Sequence, residues 1–172
     1  KPPYTVTAVT GLSHMPNHNA LAIANEFAER QSLAIPQMKL QKLVYMAHGW
    51  NLAINHEPLI ADRIEAWDGG PVIRAIWDHI RDYGYNNKNR LLKNPLNNQP
   101  LKAVLSEKEQ GIIDHVWSRY GGYSGLQLSN MTHKSGTPWS NAYFGRGRNA
   151  KLINSDIQKH FIELGLAGRD EN

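Results

Sequence analysis

The amino-acid sequence predicts a mainly α protein, a compact helical domain of about five to six helices with a small extended or β-hairpin element around residues 59–67. Three observations carry this. Apolar residues recur at helical spacing through most of the chain, and capping residues and glycines bracket those runs. Only one short stretch alternates in polarity, and it ends in the turn sequence Asp68-Gly69-Gly70. At 172 residues, with 41% hydrophobic and 20% charged side chains, the chain has the size and composition of a single globular domain.

Asn19 stands as N-cap of a first helix over 20–29, with Leu21, Ala24, Phe27 and Ala28 facing in and Asn25, Glu26 and Glu29 facing out. Pro36 suits the first turn of a second helix, whose broad apolar face of Met38, Leu40, Leu43, Val44, Ala47 and Leu52 runs on through Ile54. After Pro58, residues 59–67 are extended. Pro71 then opens a third helix with Val72, Ile73, Ile76, Trp77 and Ile80 on its apolar stripe and Gly84 at its end. The Asn-rich stretch 86–99 has little periodicity and forms a long surface loop.

Ser106 and Glu109 make a capping box for a fourth helix that carries Ile112, Ile113, Val116, Trp117 and Tyr120 and closes at Gly121-Gly122. Ser124 caps a fifth helix reaching about Lys134, and a short helical turn follows Pro138-Trp139. Gly145–Arg148 is expected to be a flexible basic loop. Ser155-Asp156 begins a last helix with Ile157, Phe161 and Leu164 on one face and Gly165 as its stop. In this division residues 1–14 are a tag or N-terminal extension, 15–168 a single domain, and 169–172 a tail.

Several function classes recede on composition. The chain has no cysteine, so it has neither a disulfide framework nor a thiolate nucleophile or ligand. Its longest apolar runs fall far short of the roughly 20 residues that span a bilayer, and Lys1–His14 lacks the apolar core of a signal peptide. A cytoplasmic location is expected. The net charge of +4 and a pI near 9.3 are compatible with nucleic acid or an acidic protein surface as counterpart.

No catalytic constellation emerges. Gly145-Arg146-Gly147-Arg148 carries the letters of a dinucleotide fingerprint without the strand and helix that motif requires. Gly122-Tyr123-Ser124-Gly125-Leu126 lacks the second glycine of a nucleophile elbow, and Ser124 is better placed as a cap. His14 and His18 flank Met15-Pro16, and the other histidines have no ligand-spaced partners. Asp62, Glu65, Asp68 and Asp78 lie close in sequence but lack the spacing of a carboxylate pair. Lys39, Lys42, Arg146, Arg148 and Lys151, with Tyr143 and Phe144 near them, are the residues available to phosphates, yet no DNA-reading motif accompanies them and nucleic acid is disfavoured. Catalytic, metal and cofactor residues are therefore expected to be none.

Lys39-Leu40-Gln41-Lys42-Leu43-Val44-Tyr45-Met46-Ala47-His48-Gly49-Trp50, Pro58-Leu59 and Ile64-Glu65-Ala66-Trp67-Asp68-Gly69-Gly70-Pro71-Val72 together resemble the hallmark of the Panacea (SocA-like) antitoxin family. Leu128-Ser129-Asn130-Met131-Thr132-His133 with Pro138-Trp139 resembles that family's second signature, extending the likeness from about Asn19 to Leu164. The resemblance implies an antitoxin of a toxin–antitoxin system, often prophage-borne, that neutralises a cognate toxin by direct binding, with a host protease as a second candidate partner. Arg146, Arg148, Lys151, Tyr143 and Trp139 are the candidate partner-binding residues. The alternative is a small-ligand-binding protein or enzyme with a pocket around Glu65, Trp67, His133 and Trp139, because these polar groups lie inside otherwise apolar signatures. The Gly69-Gly70-Pro71 turn is expected to fold the arm onto the third helix, with Trp67 anchored on the second.

Overall fold

A computed structural model describes residues 18–171, and side chains as far as residue 168. The extension at 1–14, with His14, lies outside the described residues. Seven helices stand among the described residues: α1 (Ala20–Ala28), α2 (Gln37–Asn55), α3 (Arg74–Tyr83), α4 (Glu107–Tyr120), α5 (Gly125–Thr132), α6 (Pro138–Arg146) and α7 (Asn154–Glu171). Two antiparallel hairpins accompany them, β1 (Ile64–Trp67) with β2 (Gly70–Ile73) and the shorter β3 (Lys93–Asn94) with β4 (Gln99–Pro100). The mainly α class with a small hairpin is what the sequence predicts. The turn after Pro138 grows into a full helix, and the Asn-rich loop contains the second hairpin.

The core is built around α2, which packs against α1, α4, α5, α7 and β2. Every residue from Leu40 to Leu52 is buried, as befits a helix enclosed on all sides rather than one with a single apolar face. It ends at His56, held in the left-handed region at φ 60°. Gly49 lets α7 close on it: a Cβ there would stand 2.2–2.5 Å from the Phe161 ring. Phe161 in turn meets Trp50 and Tyr45 edge to face, with centroids 5.2 and 5.8 Å away.

The expected caps form. Asn19 accepts from the Leu21 amide, and the Ser106/Glu109 and Ser124/Gln127 capping boxes are both closed. Thr137 caps α6, whose first turn holds Pro138.

Three expectations need correction and a fourth is sharpened. Asn25 does not face solvent: its amide donates to the Leu92 and Leu101 carbonyls, and its oxygen accepts from the Leu92 amide, so it clamps the long loop. Pro71 does not open α3. It lies in β2 opposite Ala66, because hairpin pairing from Trp67↔Gly70 to Ile64↔Ile73 outweighs its preference for a first helical turn. Trp67 takes Trp77 of α3 as its ring partner, edge-on at 5.3 Å, and shares a cavity with Met38 and Lys42 of α2. Gly165 does not stop α7, and its missing side chain instead gives room to Trp50.

Candidate functional site

The β1–β2 hairpin is where both sequence signatures meet. Its Asp68-Gly69 turn is followed by Gly70 at φ 119°, a conformation that suits glycine. Four alternate carbonyls along it are each taken by a side chain from a signature segment. Trp139 Nε1 donates to Trp67 O at 2.6 Å and Ser129 Oγ to Gly69 O at 2.5 Å. Lys42 Nζ donates to Pro71 O at 3.1 Å, and Gln41 Nε2 to Ile73 O at 3.3 Å. Gln41 Oε1 also accepts from the Ile73 amide at 2.8 Å. The outer edge of β2 is thereby closed by helix side chains instead of standing open as a pairing edge.

The other edge of β1 is closed by the chain after α6. Asn149 N donates to Ala66 O, Ala66 N to Ala150 O, and Leu152 N to Ile64 O, at 2.7–2.9 Å. This corrects the expectation of a flexible basic loop at Gly145–Arg148: Gly145 and Arg146 end α6, the Gly147 amide caps it, and residues 149–152 just beyond pair like a third strand. Arg148 grips the Asp68 carboxylate, and the Tyr143 hydroxyl donates to the same group at 2.8 Å. These two bonds, the tyrosine first, hold the Asp68 carboxyl below its ordinary pKa.

Around this frame the aromatic side chains form a continuous run. Trp139 stacks on Tyr143 at 4.7 Å, Phe144 lies edge-on to both, and His133 meets Trp139 edge to face at 5.2 Å. Trp139 is buried, whereas Phe144 is 76% exposed and stands at the surface beside exposed Arg146, Arg148 and Lys151. Trp139 thus acts as support, and the outward-facing aromatic is Phe144.

The residues proposed as a pocket are linked to one another and to the hairpin, and Trp67 among them lines a cavity. Glu65 Oε1 accepts from Trp67 Nε1 and Oε2 from Arg63 Nε, with Arg74 3.8 Å away. His133 Nδ1 lies 2.5 Å from the Ser129 carbonyl. Glu65, His133 and Trp139 line neither the cavity beside the hairpin, to which Trp67 contributes, nor the one between α2, α4, α5 and α7. The nearby carboxylates are committed to separate partners: Asp62 to the Ala20 amide, Asp68 to Arg148, and Asp78 to Arg74 and Arg81. No group of three or more His, Asp or Glu among the described residues is placed to hold a metal ion.

Beside the hairpin lies a cavity of about 370 Å³ lined by Met38, Trp67, Val72 and Trp77 with Gln37 and Lys42 among its polar groups. Lys42 is the residue the sequence placed with the phosphate-facing cations. It is only 2% exposed, and no carboxylate among the described residues pairs with it. Burial lowers its pKa to about 8. Lys39 is also committed, to the Gly121 carbonyl and the Trp117 ring. The signal that could have found Lys42 was its position among Leu40, Leu43 and Val44, where a helix enclosed on all sides turns every side chain inward.

The hairpin is thus pinned by side chains from two distant segments and carries a basic and aromatic rim. A family model described as "Antitoxin SocA-like, Panacea domain" matches residues 40–140. Antitoxin SocA of Caulobacter vibrioides (strain NA1000 / CB15N) is 30% identical over 144 residues, covering 78% of this chain and 75% of that one. The comparison with solved structures gives no match. This chain belongs to the SocA-like Panacea antitoxin family, and the matched span contains the hairpin together with Lys42, Ser129 and Trp139. No helix among the described residues is long and apolar enough to cross a membrane.

Proposed function

We propose that this antitoxin neutralises a cognate toxin by binding it directly in the cytoplasm, through the face formed by the β1–β2 turn, the end of α6 and residues 147–151. The observation that carries this is Phe144, 76% exposed on the rigid Trp139–Tyr143 stack with Arg146 and Lys151 exposed beside it. Aromatic and arginine side chains dominate binding energy at interfaces. A rim already fixed by hydrogen bonds loses little conformational entropy on association. The basic character of the rim suits an acidic toxin surface and speeds encounter.

Co-expression with the toxin encoded beside it tests the proposal. Growth is rescued by the wild-type chain, and rescue is lost with Phe144→Ala combined with Arg146→Glu while the antitoxin stays folded and abundant. Unchanged rescue by that double variant would move the interface elsewhere.

A further inference from the structure

A second cavity, of about 310 Å³, opens between α2, α4, α5 and α7 and shares no lining residue with the one beside the hairpin. Its apolar wall includes Met46, Met131, Phe161 and Leu164, with Tyr120 and Tyr123 adding aromatic surface. Tyr45 also lines it, 1% exposed, and its hydroxyl has no hydrogen-bond partner among the described residues. A phenol buried without a partner costs about 1–3 kcal/mol, and native interiors rarely leave one so. Burial raises the Tyr45 pKa, so the hydroxyl keeps its proton and can donate.

The polar part of the lining has one sign. Arg119 and Lys134 supply its charge, His160 is held neutral because burial lowers its pKa, and no Asp or Glu lines it. Arg119 lies over the Trp50 and Tyr120 rings at 5.6 and 5.4 Å, which fixes the guanidinium, and neither Arg119 nor Lys134 has an ion-pair partner among the described residues. The nearest acidic influence is Glu163, acting on His160. The volume is at the lower end of the roughly 300–1,000 Å³ of ligand sites, so the occupant is small.

We infer that this cavity is a binding site for a small aromatic carboxylate, with the ring between Phe161 and the methionines and the carboxylate at Arg119 and Lys134. The inference is independent of the toxin-binding face. A charge-assisted contact to arginine fixes the anionic end, and the aromatic and thioether wall favours a ring at the other.

Titration of the purified full-length protein with 4-hydroxyphenylacetate, followed by calorimetry and by amide chemical shifts, tests this. Binding tighter than about 1 mM is expected, with shifts at Tyr45, Met131 and Phe161. Tyr45→Phe, whose hydroxyl is enclosed behind the cavity wall, should leave the affinity within about twofold of the wild type. Arg119→Gln with Lys134→Gln should weaken it by roughly tenfold or more, as should replacing the probe by the uncharged 4-hydroxyphenylethanol. Tyr45→Phe removes an unpaired group and should fold at least as well as the wild type, so its binding data remain readable. Absence of binding at millimolar probe, equal affinity for the neutral probe, or affinity unchanged in the variant carrying both Arg119→Gln and Lys134→Gln would overturn the inference.

Discussion

Gln41, Lys42, His48 and Asn51 place four polar side chains inside the buried stretch of α2. Each reaches the backbone of the segment that follows the helix: Asn51 Nδ2 donates to Glu57 O, His48 Nδ1 accepts from the Leu59 and Ile60 amides, and Lys42 and Gln41 hold Pro71 and Ile73. His48 must be neutral for this, because Nδ1 is an acceptor twice over while Nε2 pairs with Asn154 Oδ1 at 2.9 Å. Burial accordingly lowers its pKa to about 4, against the smaller opposing effect of Asn154. As pH falls through about 6.5 the unfolded chain takes up the proton first, so this stability is full above about 6.5 and drains away towards pH 4, by on the order of 3 kcal/mol. His79, His115 and His160 are shifted the same way. Urea unfolding at pH 7 and pH 4.5 should therefore differ, and His48→Gln should remove the largest share of the slope.

Lys42 has the opposite pH window. Its folded pKa of about 8 lies below the unfolded value, so the native state sheds the proton first, and stability should rise between pH 8 and about 10. Above that, ionisation of unfolded tyrosine, which Tyr45 resists when folded, reverses the trend. Lys42→Met should abolish the rise, and at pH 7 the relief of a buried charge is offset by the loss of the donor to the Pro71 carbonyl, so stability there should change by less than about 1–2 kcal/mol. A wild-type stability flat from pH 7 to 10 would contradict the burial of this ammonium.

At the scale of elements, the approach of α2 and α7 rests on Gly49. Ala there would drive a methyl into the Phe161 ring, which is itself 1% exposed and packed on Tyr45 and Trp50. Gly49→Ala should cost about 1–3 kcal/mol, or more if the helices separate, measurable as a lower denaturation midpoint at unchanged helical signal. The helices were legible in sequence because caps and apolar spacing are local: Ser106 with Glu109 and Ser124 with Gln127 mark their helices correctly. The start of α3 was not, since Pro71 fits a first helical turn equally well and only pairing with β1 and the grip of Gln41 decide for a strand. The basic segment read as mobile for the same reason. What orders residues 149–152 is the edge of β1, many residues earlier in the chain. Glu65, Trp67, His133 and Trp139 do converge, on one another and on the hairpin backbone, and Trp67 also lines the cavity beside the hairpin.

For the molecule as a whole, the signatures build a support and the rim it presents is left to local composition. Trp139, Ser129, Lys42 and Gln41 hold the hairpin from within, while Phe144, Arg146 and Lys151 face outward. On the proposed reading, this division lets the scaffold be recognised by its buried residues while a partner is selected at the surface. With a net charge of +4, association with an acidic toxin should slow as salt rises, chiefly through the on-rate. Arg146→Glu should reduce that salt dependence, and stopped-flow mixing at low and high ionic strength would measure it.

The most direct measurement is calorimetric titration of the purified antitoxin with its purified cognate toxin, without other cellular components, for the wild type and for Phe144→Ala. A saturable complex is predicted, weakened by more than about tenfold in the variant, as for a hot-spot aromatic. No complex between the two purified proteins, or one of equal affinity with Phe144→Ala, would contradict direct neutralisation through this face.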